Sequence, residues 1–142
     1  MTHAAIRQSL AHCHTIAVVG LSPKPHRDSF RVAQYMQHHG FRIVPINPNA
    51  HEVLGETAYA SLTQAAQHMR IDMVNCFRNS EDIPPIATEA IAIGAKSLWL
   101  QLGVVHHAAA QQATDAGLVV VQNLCLMLAH RQLNDITPGR QC

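Results

Sequence analysis

The chain has 142 residues, of which 48% are hydrophobic and 13% are charged, and its formal net charge is +1 at pH 7. This length predicts one domain over residues 1–142, large enough to bury a core that needs neither disulfides nor a metal. The low charged fraction and ordinary apolar content argue against disorder. The nearly balanced charge argues against nucleic-acid binding. The apolar runs are far shorter than the roughly 20 residues that a membrane span needs.

Five short apolar runs, rich in Val, Ile and Leu, are the predicted strands. They cover residues 16–19, 42–46, 71–76, 98–102 and 118–121. The runs are almost continuously apolar and do not alternate with polar residues. This pattern is typical of strands that are buried on both faces, as in a parallel sheet.

Between the first two strands, the sequence predicts a helix with recognisable ends. Asp28 or Ser29 can cap its start, and Gly40 follows its end. Apolar side chains at helical spacing predict its buried face: Phe30, Ala33 and Met36 or Tyr35.

The other five predicted helices alternate with the strands in chain order. They cover residues 2–12, 61–69, 84–93, 107–116 and 125–132. Helices that alternate with buried strands predict a three-layer α/β fold with a doubly wound, five-stranded parallel sheet and right-handed crossovers. The polar residues 134–142 include Pro and Gly, and we expect them to form a loosely ordered tail.

The loop after the first predicted strand carries the groups that a phosphate needs. In a doubly wound sheet, the ligand lies outside the carboxyl ends of the strands, where the strand order reverses. Gly20 permits a tight turn, and Ser22 and Ser29 offer hydroxyl groups. Lys24 and Arg27 add positive charge beside a helix start, which itself attracts anions. The loop predicts a phosphate or pyrophosphate site, with an ordinary capped turn as the alternative.

The loop after the second strand contains Asn47 and Pro48 and lacks an acidic residue. An NAD site carries Asp or Glu at this place to bind the ribose 2′-hydroxyl. Asparagine does not repel a phosphorylated ribose, so the loop fits NADP or coenzyme A better than NAD, unless it is a turn without a ligand. The G-x-G-x-x-G and P-loop patterns are absent, which argues against nucleoside triphosphate hydrolysis.

Residues that could line the same crevice follow the third and fourth strands. Arg78 can donate a forked pair of hydrogen bonds to phosphate, or form a salt bridge with Glu81 or Asp82. Gln101 and Gly103 come at the end of the fourth strand.

Six segments of the chain, taken in order, carry a family resemblance. They are VVGLSPKPHRDSFRVAQYM, IVPINPN, LGE-x-x-Y-x-SL, IDMVNCFRNSE, GAKSLWLQLGV and AGLVVVQNLC, and they lie between about residues 15 and 133. Their order and spacing resemble the small stand-alone coenzyme A-binding domain family, which is akin to the nucleotide-binding domain of the succinyl-CoA synthetase α subunit. The resemblance implies a Rossmann-like fold.

The resemblance also implies coenzyme A as the ligand. By it, Gly20, Ser22, Lys24 and Arg27 surround the pyrophosphate, Asn47 and Pro48 the adenosine end, and Arg78 lies in the crevice beside them. The chain departs from the family's pattern at Leu124 and Met127, where the family has Arg and Lys.

The synthetase reaction is not implied, because that enzyme uses a phosphorylated histidine on a second domain and a separate nucleotide-binding subunit. We therefore expect a coenzyme A or acyl-CoA binding protein that has no catalytic residue of its own. Two alternatives stay open: an enzyme that uses NADP or an acyl-CoA by unidentified chemistry, and an interaction domain that has lost its ligand. We expect no nucleic-acid or membrane partner, and the low charge leaves self-association open.

The 11 histidines and four cysteines predict neither a metal site nor disulfides. The histidines show no zinc spacing and are expected at the surface, with His106 and His107 at a helix start. The cysteines form no C-x-x-C pair, and the N-terminus lacks signal-peptide features, so free thiols in the cytoplasm are expected. Cys125 is either a reactive thiol at a helix start or a small buried residue.

Overall fold

The computed structural model of the chain describes residues 3–136. Within them the strands are β1 (Thr15–Val19), β2 (Arg42–Ile46), β3 (Glu52–Val53), β4 (Glu56–Thr57), β5 (Met73–Cys76), β6 (Ser97–Leu100) and β7 (Val119–Val121). The helices are α1 (His3–Leu10), α2 (Asp28–His38), α3 (Leu62–Ala66), α4 (Ile83–Ala92), α5 (His107–Asp115) and α6 (Leu126–Ile136). No helix in this part of the chain is long and apolar enough to cross a bilayer.

Five strands form one parallel sheet in the order β2-β1-β5-β6-β7. The chain places β2 on one side of β1 and then returns to place the later strands on the other side. The strand order therefore reverses between β1 and β5. Every residue of β1, β5 and β6 is buried, which explains their continuous apolar pattern. The predicted three-layer, Rossmann-like α/β fold is confirmed.

Helices cover both faces of the sheet because successive strand side chains point to opposite faces. Val19, Val44 and Leu98 belong to the core under α3, α4 and α5. Ile16 and Trp99 belong to the second core, under α1, α2 and α6.

The start of α2 differs from the prediction. Arg27 occupies the N-cap position and its side chain makes no capping hydrogen bond. Asp28 forms an ion pair with Arg31, and Ser29 Oγ accepts a hydrogen bond from Ser22 N at 3.0 Å. The prediction that Asp28 or Ser29 caps the helix was therefore wrong, because both side chains bond elsewhere. The buried face consists of Ser29, Val32, Ala33 and Met36, while the predicted Phe30 and Tyr35 are half-buried.

A small antiparallel hairpin, formed by β3 and β4, was not predicted. Each strand has two residues and no apolar run, so the pattern carried no strand signal. Its turn contains Leu54 and Gly55, both with positive φ, of +56° and +77°.

The observed ends of several elements also differ from the predicted ones. β5 begins at Met73 and β6 ends at Leu100, so the third and fourth strands are shorter than their apolar runs. Helix α6 continues to Ile136, four residues beyond its predicted end at 132. The remainder of the predicted tail, residues 137–142, lies outside the described residues.

Candidate functional site

Four strands end level with one another at the carboxyl edge of the sheet. Val19 is in register with both Ile46 and Cys76, and Cys76 is in register with Leu100. Hydrogen bonds continue past the strand ends, from Phe77 N to the Val19 carbonyl at 2.9 Å and from other loop residues in the same way. The loops that contain the predicted site residues therefore share one edge, and the point of strand reversal lies between the first two of them.

Gly20 marks the point of strand reversal. It has φ +86°, and its N–H donates to the Ile46 carbonyl at 3.0 Å. A Cβ at this position would overlap the carbonyl oxygen of Phe77 and lie 3.1 Å from Arg78 Cδ. The loops after β1 and β5 are thus in direct contact, which brings Gly20 and Arg78 together as the sequence predicts.

The loop between β1 and α2 is closed by its own hydroxyl groups. Ser22 Oγ accepts a hydrogen bond from Lys24 N at 3.1 Å, and the buried Ser29 Oγ accepts from Ser22 N at 3.0 Å. Both serines therefore hold the shape of the loop. The side chains of Lys24 and Arg27 are exposed and make no hydrogen bond or ion pair with any other described residue.

The Asn47 side chain ties the end of β2 to the first loop. Its Nδ2 donates to the Leu21 carbonyl at 2.9 Å, and its Oδ1 accepts from Asn49 N at 2.9 Å. Pro48 is exposed beside it. Asn47 thus has partners within the protein at both ends of its amide, and it positions the loop.

Arg78 lies just beyond β5 and forms a salt bridge with Asp82, with Nη2 and Oδ2 at 3.3 Å. This was one of its two predicted partners. Both side chains are partly exposed, so solvent screens the pair and its contribution to stability is small. An anion that enters the crevice can therefore compete for the guanidinium group.

Gln101 is buried and connects β5, β6 and the start of α6. Its Oε1 accepts hydrogen bonds from Leu126 N at 2.9 Å and from Asn75 Nδ2 at 3.3 Å. Gly103, with φ +87°, is held by a hydrogen bond of 2.8 Å from its N–H to Asn123 Oδ1. Gln101 thus positions the loops, and Gly103 lies at the exposed rim.

Two cavities open at this edge of the sheet. One, of about 280 Å³, lies between the starts of α2 and α6 and is lined by Phe77, Gln101 and Cys125 among others. The other, of about 580 Å³, is lined by Val105, His107, Gln122, Asn123 and Leu124. Cavities of about 480 and 440 Å³ lie at the opposite, amino-terminal edge, away from the predicted site residues. Doubly wound sheets bind ligands at the carboxyl edge, so the first pair is the relevant one.

The three cysteines among residues 3–136 are free thiols. Burial raises the pKa of the Cys76 thiol to about 12. Burial, helped by the Asp72 carboxylate, likewise raises the pKa of Cys13 to about 12. Both therefore stay protonated thiols at neutral pH. Cys125 is half-buried and immediately precedes α6.

Nine of the 11 histidines are exposed, as expected from the sequence. His106 is the N-cap residue of α5, and its Nδ1 accepts a hydrogen bond from Ala109 N at 3.1 Å, so the predicted role of this histidine at a helix start is confirmed. Among residues 3–133, whose side chains the structure describes, no group of three or more His, Cys, Asp or Glu could hold a metal ion.

Sequence reasoning missed Phe77 and Asn75. Phe77 lies one residue past a strand, where an aromatic side chain is normally interpreted as part of the core. The contact of its carbonyl group with Gly20 depends on the fold, so the sequence could not predict it. Asn75 is 1% exposed, and its Oδ1 has no hydrogen-bond partner in the described structure. The signal for Asn75 was available, because it is a polar residue inside a run that is otherwise buried and apolar.

Comparisons with known proteins agree with this geometry. A family model described as a CoA binding domain matches residues 14–131. The chain is 40% identical over 127 residues to the uncharacterized protein YneT of Bacillus subtilis (strain 168). The aligned region covers 89% of this chain and 93% of YneT.

Solved structures with the same fold cover nearly the whole chain. A form of the PH1109 protein redesigned for binding has a TM-score of 0.87 and 37% identity, covering 99% of this chain and 95% of that one. A hypothetical protein from Pyrococcus horikoshii OT3 has a TM-score of 0.87 and 36% identity, covering 94% and 92%.

Proposed function

The chain belongs to the family of CoA binding domains, and from that premise we propose that it binds coenzyme A or an acyl-CoA at the carboxyl ends of β1, β2, β5 and β6. In this proposal it acts as a binding protein and supplies no catalytic group of its own. The residues proposed to form the site, either by contact with the ligand or by holding its loops in place, are Gly20, Ser22, Lys24, Arg27, Ser29, Asn47, Pro48, Arg78, Gln101 and Gly103.

The observation that carries the proposal is that two cationic side chains beside the point of strand reversal, Lys24 and Arg27, form no ion pair with the rest of the described structure. Lys24 and Arg27 have no acidic partner among the described residues, whereas Arg31 and Arg78 each have one. They adjoin the first turn of α2, where N–H groups lack helical partners and attract negative charge. A pyrophosphate placed there meets two side-chain charges and a helix start.

Gly20 supports this placement because its lack of a side chain lets the loops after β1 and β5 approach closely. Arg78, on the second of these loops, is within reach of an anion bound at the first. Exchange of its partly exposed partner Asp82 for a phosphate costs little, since ion pairs in contact with solvent contribute about 0–1 kcal/mol.

The adenosine end of the ligand is proposed to lie over the loop after β2. Asn47 is bonded to the first loop and to its own turn, so its role in the proposal is to fix the distance between the two loops. Pro48 offers an exposed, rigid apolar surface to the base. No acidic side chain stands on this turn to repel a ribose phosphate.

The test is isothermal titration calorimetry with coenzyme A, dephospho-coenzyme A and NADP on the wild-type protein and on Lys24→Ala/Arg27→Ala. Coenzyme A should bind most tightly, and the double variant should lose roughly tenfold or more in affinity, because hydrogen bonds to charged groups contribute about 1.5–3 kcal/mol each. A matched control is Arg42→Ala/Lys96→Ala, which removes the same two charges at the amino-terminal edge and should bind like the wild type.

Absence of heat and of thermal stabilisation with all three ligands at millimolar concentration would contradict the proposal, since a ligand of the folded state must raise stability. Tighter binding of NADP than of coenzyme A would favour the alternative of an NADP-using enzyme. A cytoplasmic location and self-association stay predictions.

A further inference from the structure

The cavity between α2 and α6 contains the exposed apolar side chains of this edge. Leu102 is 67% exposed and Leu128 is 49% exposed, and they are the large hydrophobic residues that the described part of the chain leaves exposed. Both line the same cavity of about 280 Å³, together with Phe77 and Met127. Exposed apolar side chains that converge on one cavity mark a place where another apolar group is bound.

We propose that this cavity receives the acyl group of an acyl-CoA, so that a short, apolar acyl-CoA is the preferred ligand and free coenzyme A a weaker one. The inference rests on the proposed function, because it extends the same crevice.

Phe77 lies between the cavity and the proposed pyrophosphate site. The Phe77 carbonyl abuts Gly20, where the pyrophosphate is proposed to bind, and Phe77 also lines the cavity. Coenzyme A is a linear molecule with its adenosine at one end, its pyrophosphate in the middle and its thiol at the other end. With the adenosine over β2 and the pyrophosphate beside β1, the remaining arm runs across β5 toward β6, since the sheet order is β2-β1-β5-β6. Its thiol end then arrives beside Leu102.

The electrostatics of the cavity favour an apolar group over an acidic one. Arg31 is its only cationic lining residue among those described, and its guanidinium is already paired with the Asp28 carboxylate and the His26 carbonyl. The Asp28 carboxylate also lines the cavity, so the described lining has no excess positive charge to attract the distal carboxylate of a dicarboxylic acyl group. The volume of about 280 Å³ is just below that of most ligand pockets, which measure roughly 300–1,000 Å³, so the acyl chain should be short.

The experiment compares coenzyme A, acetyl-CoA, butyryl-CoA and succinyl-CoA by calorimetry on the full chain. Butyryl-CoA should bind about tenfold more tightly than coenzyme A, because each buried methylene favours binding severalfold. Succinyl-CoA should bind no more tightly than coenzyme A.

Leu102→Ser/Leu128→Ser should lose the preference for butyryl-CoA and keep the affinity for coenzyme A. The matched control is Gln132→Ser, on the exposed side of α6, which should keep the preference. Should the double variant be unfolded in a thermal melt, Leu102→Ser alone serves, because Leu102 lies in a turn outside the helices and strands.

The outcomes separate the two proposals. Equal affinity for coenzyme A and butyryl-CoA, or equal affinity for the butyryl and succinyl thioesters, overturns the acyl site and leaves coenzyme A binding intact. A butyryl preference that survives in the leucine variant also overturns it. Binding of none of the four ligands overturns both proposals.

Discussion

At the scale of single residues, Gly20 is the position where the fold most directly excludes any side chain. Its φ of +86° lies in the region that L-residues avoid, and its missing Cβ leaves the space that the Phe77 carbonyl occupies. Other described glycines also have a positive φ. The close approach of another atom is found at Gly20 alone among the described glycines, because at the others an added Cβ would meet no atom within 4 Å.

Gly20→Ala should therefore be destabilised by more than Gly94→Ala. Gly94 also has a positive φ, of +77°, but open space around it, so its substitution measures the backbone strain alone, about 1–2 kcal/mol. In Gly20→Ala, the loops after β1 and β5 must also move apart, which should weaken coenzyme A binding. Urea denaturation and calorimetry of the two variants check this. Equal destabilisation of the two variants would show that the close approach of Gly20 to Phe77 contributes nothing to the difference in stability.

The buried thiols predict a loss of stability in alkaline solution. The pKa of Cys76 is raised from 9.0 to about 12 by burial, so from pH 9 to 12 the unfolded chain has released the proton that the folded chain retains. The folded state binds more protons, and stability falls by about 1.4 kcal/mol per pH unit for each such thiol. Cys13 contributes in the same direction.

Cys76→Ala should reduce this slope by about 1.4 kcal/mol per pH unit between pH 9 and 12. The measurement is the free energy of unfolding from urea titrations at several pH values, and the comparison of slopes removes the constant cost of the truncated side chain. Identical slopes for variant and wild type would contradict the assigned pKa.

At the scale of elements, the sequence predicted what depends on local pattern and missed what depends on contacts across the fold. Continuous apolar runs identified all five strands of the main sheet, since only strands covered on both faces need them. The hairpin of β3 and β4 has no such run and was missed. The sequence predicted that the polar residues lie at the carboxyl edge of the sheet, and they do. It did not predict that the amide of Asn47 bonds to Leu21, 26 residues away in sequence.

Gln101 joins three elements, and its replacement tests how strongly they depend on one amide. Gln101→Leu leaves the buried Leu126 N without its acceptor, and it leaves Asn75 Nδ2 with only the long hydrogen bond of 3.4 Å to the Trp99 carbonyl. We expect a loss of about 2 kcal/mol or more, because an unsatisfied buried donor costs roughly 1–3 kcal/mol. Gln111→Leu, on the exposed face of α5, is the control and should change stability by less than about 0.5 kcal/mol. The measurement is the free energy of unfolding of both variants from chemical denaturation. An equal loss of stability in the two variants would contradict the role of Gln101.

At the scale of the whole molecule, the low charge of the chain follows from its architecture. Helices cover both faces of the sheet, so the strands and one side of each helix are apolar, and only loops and outer helix faces take charges. The sequence could predict that Lys24, Arg27 and Arg78 lie at one edge, because that depends only on strand order. It named Asp82 as one of two possible partners of Arg78, but it could not decide between a salt bridge and a free guanidinium group, because pairing depends on side-chain distances. For the same reason it could not predict that Lys24 and Arg27 have no acidic partner among the described residues.

The level ends of β1, β2, β5 and β6 also bear on how such a protein can change over time. Each loop is attached to a strand whose position is fixed by its neighbours in the sheet, so a loop can change length or composition without moving the others. In the proposed arrangement the nucleotide is held from β1 and β2 and the acyl group from β6 and α6. Insertions after β6 could therefore alter which thioester is selected while the nucleotide contacts are inherited unchanged. If the ligand binds as proposed, the sheet makes recognition of its two ends separable by mutation.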